Sequence, residues 1–246
     1  MTSRLLLSLA LVALLVGCGN RKPIDYGVPE AIVVGTSVEG RSIPVHVMGT
    51  GPEVVLIMAT IHGNENAGTP LSYDLMRYVE ANPALLEGRQ IVFMPIANPD
   101  GYAVEKRFNS RGVDLNRNFE ASNRRENRRS GDSPLSEPES RAIKAVLETY
   151  RPARIVSMHE PLKVIDWDGP GEELARHMGR FTDLPVERLG SRAGSLGSYA
   201  GEELGIPIIT LEFPKGAGDR HPKDLWQDYG RCLLAAITFP NDPPEL

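Results

Sequence analysis

His62 and Glu65 stand three residues apart in Ala59-Thr60-Ile61-His62-Gly63-Asn64-Glu65. The stretch follows the apolar run Val54-Val55-Leu56-Ile57-Met58, which reads as a buried strand, and Gly63-Asn64 reads as a tight turn at its end. Such a turn can bring an imidazole and a carboxylate onto one metal ion. His159 closes a second apolar run, Ile155-Val156-Ser157-Met158, and projects from a strand end in the same way. Two histidines and a glutamate suit one Zn²⁺ per chain and leave one tetrahedral position for a water whose pKa the metal lowers. A further run ends in Thr210-Leu211-Glu212-Phe213. A carboxylate there is partly desolvated, so its pKa rises toward the range a general acid/base needs. Amide hydrolysis requires an activated water, a polarised carbonyl and a proton for the leaving amine. The metal supplies the first two, and Glu212 has the chemistry for the third. Taken alone, His-x-x-Glu is a common pattern, and a strand-end histidine bonded to a carbonyl is its bland alternative.

The middle of the chain changes that balance. Asn98-Pro99-Asp100-Gly101 precedes Arg111-Gly112-Val113-Asp114-Leu115-Asn116-Arg117-Asn118-Phe119. With the His62, His159 and Glu212 segments, these residues resemble the M14 family of zinc carboxypeptidases, over about residues 62–214. Within it the closest resemblance is to the murein tripeptide amidases, which cut the bond between γ-D-Glu and meso-diaminopimelate. Leu135-Ser136-Glu137-Pro138-Glu139, Ser157-Met158-His159-Glu160-Pro161-Leu162, Gly194-Ser195-Leu196-Gly197-Ser198-Tyr199 and Gly205-Ile206-Pro207-Ile208 carry that likeness. The resemblance implies that Asp114 bonds the free nitrogen of His62 and fixes its tautomer. It implies that Asn116 and Arg117 grip a substrate carboxylate, and that Arg107 stabilises the oxyanion. It gives Glu212 the acid/base role and a murein peptide as substrate. No counterpart of the mobile tyrosine of digestive carboxypeptidases is in register; Tyr199 is nearby but displaced. Gly194 and Gly197 are expected to leave room for a long polar side chain on the leaving group. Asp166, Asp168 and Arg192 are candidates to hold its far end. Glu160 reads as a surface acid and His46 as structural, while His177, in a charged helix, and His221, in a Pro-rich loop, are expected to have no metal role.

The chain has 246 residues, 41% hydrophobic and 24% charged, which suits one globular domain with a sizeable core. A formal net charge of −5 argues against a nucleic-acid partner. Arg124, Arg125, Arg128 and Arg129 form a basic cluster, read as a solvated loop or as a rim that attracts an acidic substrate. Arg4 precedes the apolar run Leu5 to Val16, and Leu15-Val16-Gly17-Cys18 closes it. The run is too short to span a bilayer comfortably and has the shape of a secretory segment. Its end resembles a lipoprotein cleavage site, with Cys18 as the acylated first residue of the mature chain. The expected organisation is a signal peptide over 1–18, a tether over 19–30 and a peptidase domain over 31–246. The expected place is the periplasmic side of the cell envelope, anchored by lipid to the outer membrane, as a monomer. Cys232, the other cysteine, lies in a helical period and reads as a core thiol.

The elements that must position these residues follow from periodicity. Residues 31–34 and 43–47 read as an opening hairpin. Thr69-Pro70 starts a helix that Thr69 can cap, and Ser136-Glu137-Pro138-Glu139 reads as a capping box for another. Further helices are expected over 172–181 and 226–237. Strands alternating with helices argue a three-layer α/β/α sandwich on a mostly parallel sheet. The resemblance implies a mixed sheet of eight strands. Two other functions compete with the peptidase. An N-acyl amino-acid deacylase of the succinylglutamate desuccinylase and aspartoacylase type shares His-x-x-Glu, but the Gly-Val-Asp-Leu-Asn-Arg-Asn-Phe run favours the peptidase. A non-catalytic murein-binding lipoprotein is expected to have lost a ligand or the acid/base group, and all four are present.

Overall fold

The structure, a computed structural model, describes residues 29–246. Cys18 and the signal segment lie outside the described residues. Seven strands form one sheet among them: β1 (Ala31–Thr36), β2 (Ser42–Met48), β3 (Glu53–Ala59), β4 (Arg89–Met94), β5 (Arg154–His159), β6 (Leu162–Asp168) and β7 (Ile208–Pro214). Their order is β1-β2-β4-β3-β5-β7-β6. The central strands β4, β3, β5 and β7 run parallel, and antiparallel pairs close both flanks. The sheet is therefore mixed, as expected, with seven described strands where the resemblance implied eight.

The central strands are apolar on both faces, as a sheet covered by helices requires. Val55, Ile57, Ala59, Val156 and Met158 join a core with α1 (Gly68–Ala81), α4 (Glu172–Gly179) and α5 (Pro222–Thr238). The alternate residues Leu56, Met58 and Ile155 face α3 (Pro138–Tyr150) on the other side. A short helix, α2 (Pro99–Ala103), follows β4. Period-two alternation along each strand thus assigns its residues to two cores in a three-layer sandwich. Cys232 is fully buried on α5, and burial pushes its thiol up to about 12, as a packed core residue.

Several local expectations differ from the structure. Thr69 does not cap α1; its Oγ1 donates to the Pro95 carbonyl at 3.0 Å and bonds the Thr60 hydroxyl at 2.7 Å. The side chain instead ties the helix start to the end of β4. The capping box of α3 is absent: Glu137 is the cap residue and makes no side-chain cap bond, while Ser136 donates to the Glu137 carboxylate. Asn98 opens a helix rather than a simple turn, its side chain accepting from Gly101 N at 2.9 Å. Strand β6 has no strong signal because Lys163, Asp166 and Asp168 interrupt its apolar pattern. It sits at the sheet edge, where such residues are tolerated.

Candidate metal centre and catalytic cavity

Three parallel strands deliver the chemistry at one end of the sheet, the usual place for sites in such folds. Chain leaving β3 turns through Thr60, at φ 54°, and presents His62 and then Glu65 before α1 begins. His159 is the last residue of β5. Glu212 on β7 pairs with it across the ladder. The ligand atoms of His62, Glu65 and His159 lie within 4.8 Å of one another, and all three residues are buried.

The donor set fits a zinc ion. Nδ1 of His62 and Nδ1 of His159 lie 2.8 and 2.9 Å from the same Glu65 oxygen, Oε2. The His62 contact is out of line for a hydrogen bond, so this fully buried Nδ1 is left without one. A buried polar atom without a partner is costly in a folded protein unless a ligand takes it. Both opposite nitrogens are occupied. Nε2 of His62 meets Asp114 Oδ1 at 3.0 Å, and Nε2 of His159 meets Ser157 Oγ at 3.0 Å. These bonds turn the Nδ1 atoms toward the centre, the arrangement expected of outer partners that orient metal ligands. Burial pushes the Glu65 carboxyl up, but the hydrogen bond with His159 and the imidazole of His62 beside it outweigh that and hold it well below its ordinary range. Asp114 is likewise desolvated yet held low, first by His62.

Asp114 does a second job. It precedes the 3₁₀ turn Leu115–Arg117, and its Oδ1 accepts from Asn116 N at 3.1 Å. One carboxylate therefore locks His62 and the backbone that carries Asn116 and Arg117. Both of those residues line the cavity beside the centre. The Asn116 carboxamide oxygen accepts from Leu196 N at 2.8 Å, joining this wall to the opposite loop. Arg117 donates to the Asn116 carbonyl and has no carboxylate ion pair among the described residues. Burial lowers its pKa, and the nearby Arg107 and Arg192 push in the same direction against Asp114. A half-desolvated guanidinium without a counter-ion is a receptor for an anion. Arg107 also lines the cavity, with Nη1 on Glu65 Oε1 at 2.6 Å and Nε on Asp114 Oδ2 at 3.2 Å.

Glu212 lines the cavity with only 8% of its surface exposed. Desolvation raises its carboxyl above the usual range, partly offset by His159 and by the Leu162 N–H, which Oε2 accepts at 3.2 Å. Asp166, Asp168 and Arg192 line the same cavity.

Other expectations change here. Glu160 is no surface acid. It is 9% exposed, its carboxylate accepts from Ala67 N at 3.2 Å and Gly218 N at 3.4 Å, and it joins the loops after β3 and β7. The signal available was its position, directly after a strand-end ligand and before Pro161. Gly194 and Gly197 do not provide open room. A Cβ on Gly194 would lie 2.6 Å from the Arg117 carbonyl, and one on Gly197 would lie 1.9 Å from Asp168 Oδ2. Each glycine admits a neighbouring protein group instead. Tyr199 stacks on Phe119 at 5.8 Å inside the α3-side core, and no tyrosine lines the cavity among the described residues. Arg124 is held by the Ser130 and Gly131 carbonyls, and none of the four clustered arginines lines the cavity. His46 bonds the Pro29 carbonyl, His177 the Asn241 carbonyl, and His221 accepts from Lys223 N at the start of α5.

A family model described as zinc carboxypeptidase matches residues 28–169. The chain belongs to the zinc carboxypeptidase family. Murein peptide amidase A of Escherichia coli K12 is 34% identical over 182 residues, covering 67% of this chain and 72% of that relative. The enzyme of that name from Vibrio campbellii is 31% identical over the same length. The crystal structure of a murein-tripeptide amidase from E. coli O157 superposes with a TM-score of 0.69 at 27% identity, covering 92% of this chain and 98% of that one. Bovine thrombin-activatable fibrinolysis inhibitor, at 21% identity and a TM-score of 0.72, shares the fold. Zinc carboxypeptidases are zinc-dependent hydrolases, and the His62–Glu65–His159 cluster fits that dependence.

Proposed function

We propose that this chain is a zinc amidase of murein peptides, cutting between γ-D-Glu and meso-diaminopimelate. The observation that carries the reading is the complete constellation in one cavity: a His₂Glu cluster, a desolvated Glu212, and the Asn116–Arg117 pair. The likeness to murein peptide amidases over most of the chain supports the substrate class. It also disfavours the deacylase and the non-catalytic binder.

His62, Glu65 and His159 would hold a zinc ion, whose chemistry there would be to lower the pKa of the attacking water and polarise the scissile carbonyl. The protein supplies the rest. Glu212 takes the water's proton and delivers it to the departing nitrogen. Arg117 and Asn116 hold the carboxylate beside the scissile bond and so orient it for attack. Arg107 offers positive charge where the carbonyl oxygen becomes anionic. Arg117→Ala is expected to lower kcat/KM on L-Ala-γ-D-Glu-diaminopimelate by about 10²-fold or more, the scale of losing a desolvated charge pair. Zinc content should stay at the wild-type level. A loss below about threefold, the scale of an exposed ion pair, would remove Arg117 from substrate binding.

For the chain's location, the supporting residues are Arg4, the apolar run behind it and Leu15-Val16-Gly17-Cys18. They favour export and acylation at Cys18, with an anchor that places the enzyme beside the murein layer. Wall stem peptides, or fragments released from them, are then the available substrate. Cys18→Ser should release the protein from the membrane fraction or leave it unprocessed. Unchanged size together with unchanged membrane association would rule out the anchor.

A further inference from the structure

The cavity holds charges that amide hydrolysis does not use. Along the β6–β7 ladder, Glu212 pairs with Val164, Thr210 with Asp166, and Ile208 with Asp168. Alternate residues share a face, so Asp166 and Asp168 follow Glu212 down one side of the sheet. At the strand rise they lie about 7 and 13 Å farther along it. Thr210 completes that wall.

Both aspartates are buried, at 7% and 4% exposure, yet neither forms an ion pair among the described residues. Their Oδ1 atoms are held in place. Asp166 Oδ1 accepts from Trp167 N at 2.9 Å and from Leu189 N at 2.8 Å. Asp168 Oδ1 accepts from Ser191 Oγ at 2.5 Å. Neither Oδ2 accepts a hydrogen bond among the described residues, while both residues line the cavity. Burial pushes both carboxyls above their ordinary range. Arg192 and Arg188 act on these carboxylates only at a distance. Two buried carboxylates without a direct ion pair are costly, and a cationic ligand group in contact with them removes that cost. The chain also preserves their position: the bare Cα of Gly197 makes space for Asp168 Oδ2. Arg192, from the loop that precedes β7, lines the same cavity; it is exposed, and its guanidinium has no hydrogen-bond or ion-pair partner among the described residues.

We propose that Asp166, Asp168 and Arg192 form a receptor for a zwitterionic amino-acid head at the far end of the leaving residue's side chain. The two Oδ2 atoms take its ammonium and Arg192 takes its carboxylate. The distance from Glu212 suits a side chain as long as lysine's, and the added guanidinium distinguishes a diamino diacid from lysine. The proposal rests on the amidase reading above and assigns its specificity to these residues.

The test uses three peptides with the same L-Ala-γ-D-Glu portion, ending in meso-diaminopimelate, lysine or norleucine. Asp166→Asn and Asp168→Asn should each lower kcat/KM about 10²-fold on the diaminopimelate and lysine peptides, and leave the norleucine peptide near the wild-type rate. Gly197→Ala, which displaces Asp168, should follow the same pattern. Arg192→Ala should lower the rate on the diaminopimelate peptide alone, by about threefold as befits an exposed pair, and erase its advantage over lysine. This variant changes an exposed side chain and keeps the test decisive if an aspartate variant fails to fold. Zinc content and circular dichroism verify each protein. Equal losses on all three peptides, or an undiminished preference in Arg192→Ala, would overturn the receptor. A wild-type enzyme that cuts none of the three would overturn the amidase reading itself, and the receptor with it.

Discussion

Glu212→Gln is expected to keep its zinc and lose turnover by at least the ~10²–10⁴-fold typical of a single proton-transfer group. The substitution preserves shape and one acceptor, so the β7 ladder and the bond from Leu162 N survive. It removes the ability to accept and release a proton. Among the described residues, no other carboxylate or tyrosine is placed to take over. Tyr199 is committed to the core against Phe119. Glu160 is bound to two backbone amides. Asp166 and Asp168 lie farther down the sheet. Steady-state rates with parallel metal analysis check this. Retention of more than about a tenth of the wild-type rate, above that range, would assign the proton transfers elsewhere.

His159→Ala should be comparably severe for a different reason. Two donors then remain in a cluster that needs three to hold Zn²⁺ with an open position. Near-stoichiometric zinc in the purified wild type should fall sharply, and activity with it. The loss should exceed the ~10–100-fold typical of removing an outer partner such as Asp114. Full zinc occupancy in the variant would show that His159 is not a ligand.

The metal cluster was legible because His159 ends an apolar strand and His62 and Glu65 follow closely on another, and strand ends announce themselves by periodicity. Parallel pairing of β3, β5 and β7 then brings residues about 150 positions apart together without further signal. Asp114, Asn116 and Arg117 were legible only through their motif, since a three-residue 3₁₀ turn is too short to show a periodicity. The roles of Gly194 and Gly197 were not legible. A glycine's purpose depends on what approaches it, here the Arg117 carbonyl and the Asp168 carboxylate. Glu160 was misread because burial of a single polar residue after a strand depends on loops far away in sequence. Helix caps failed where tertiary bonds outcompeted local ones, as Thr69 shows by bonding Pro95 and Thr60.

The most direct measurement is the mass of the products when purified, zinc-loaded protein meets L-Ala-γ-D-Glu-meso-diaminopimelate. The account predicts free diaminopimelate and L-Ala-D-Glu, formed by the wild type and not by Glu212→Gln. Release of succinate or acetate from N-acyl amino acids, with the tripeptide left intact, would contradict it.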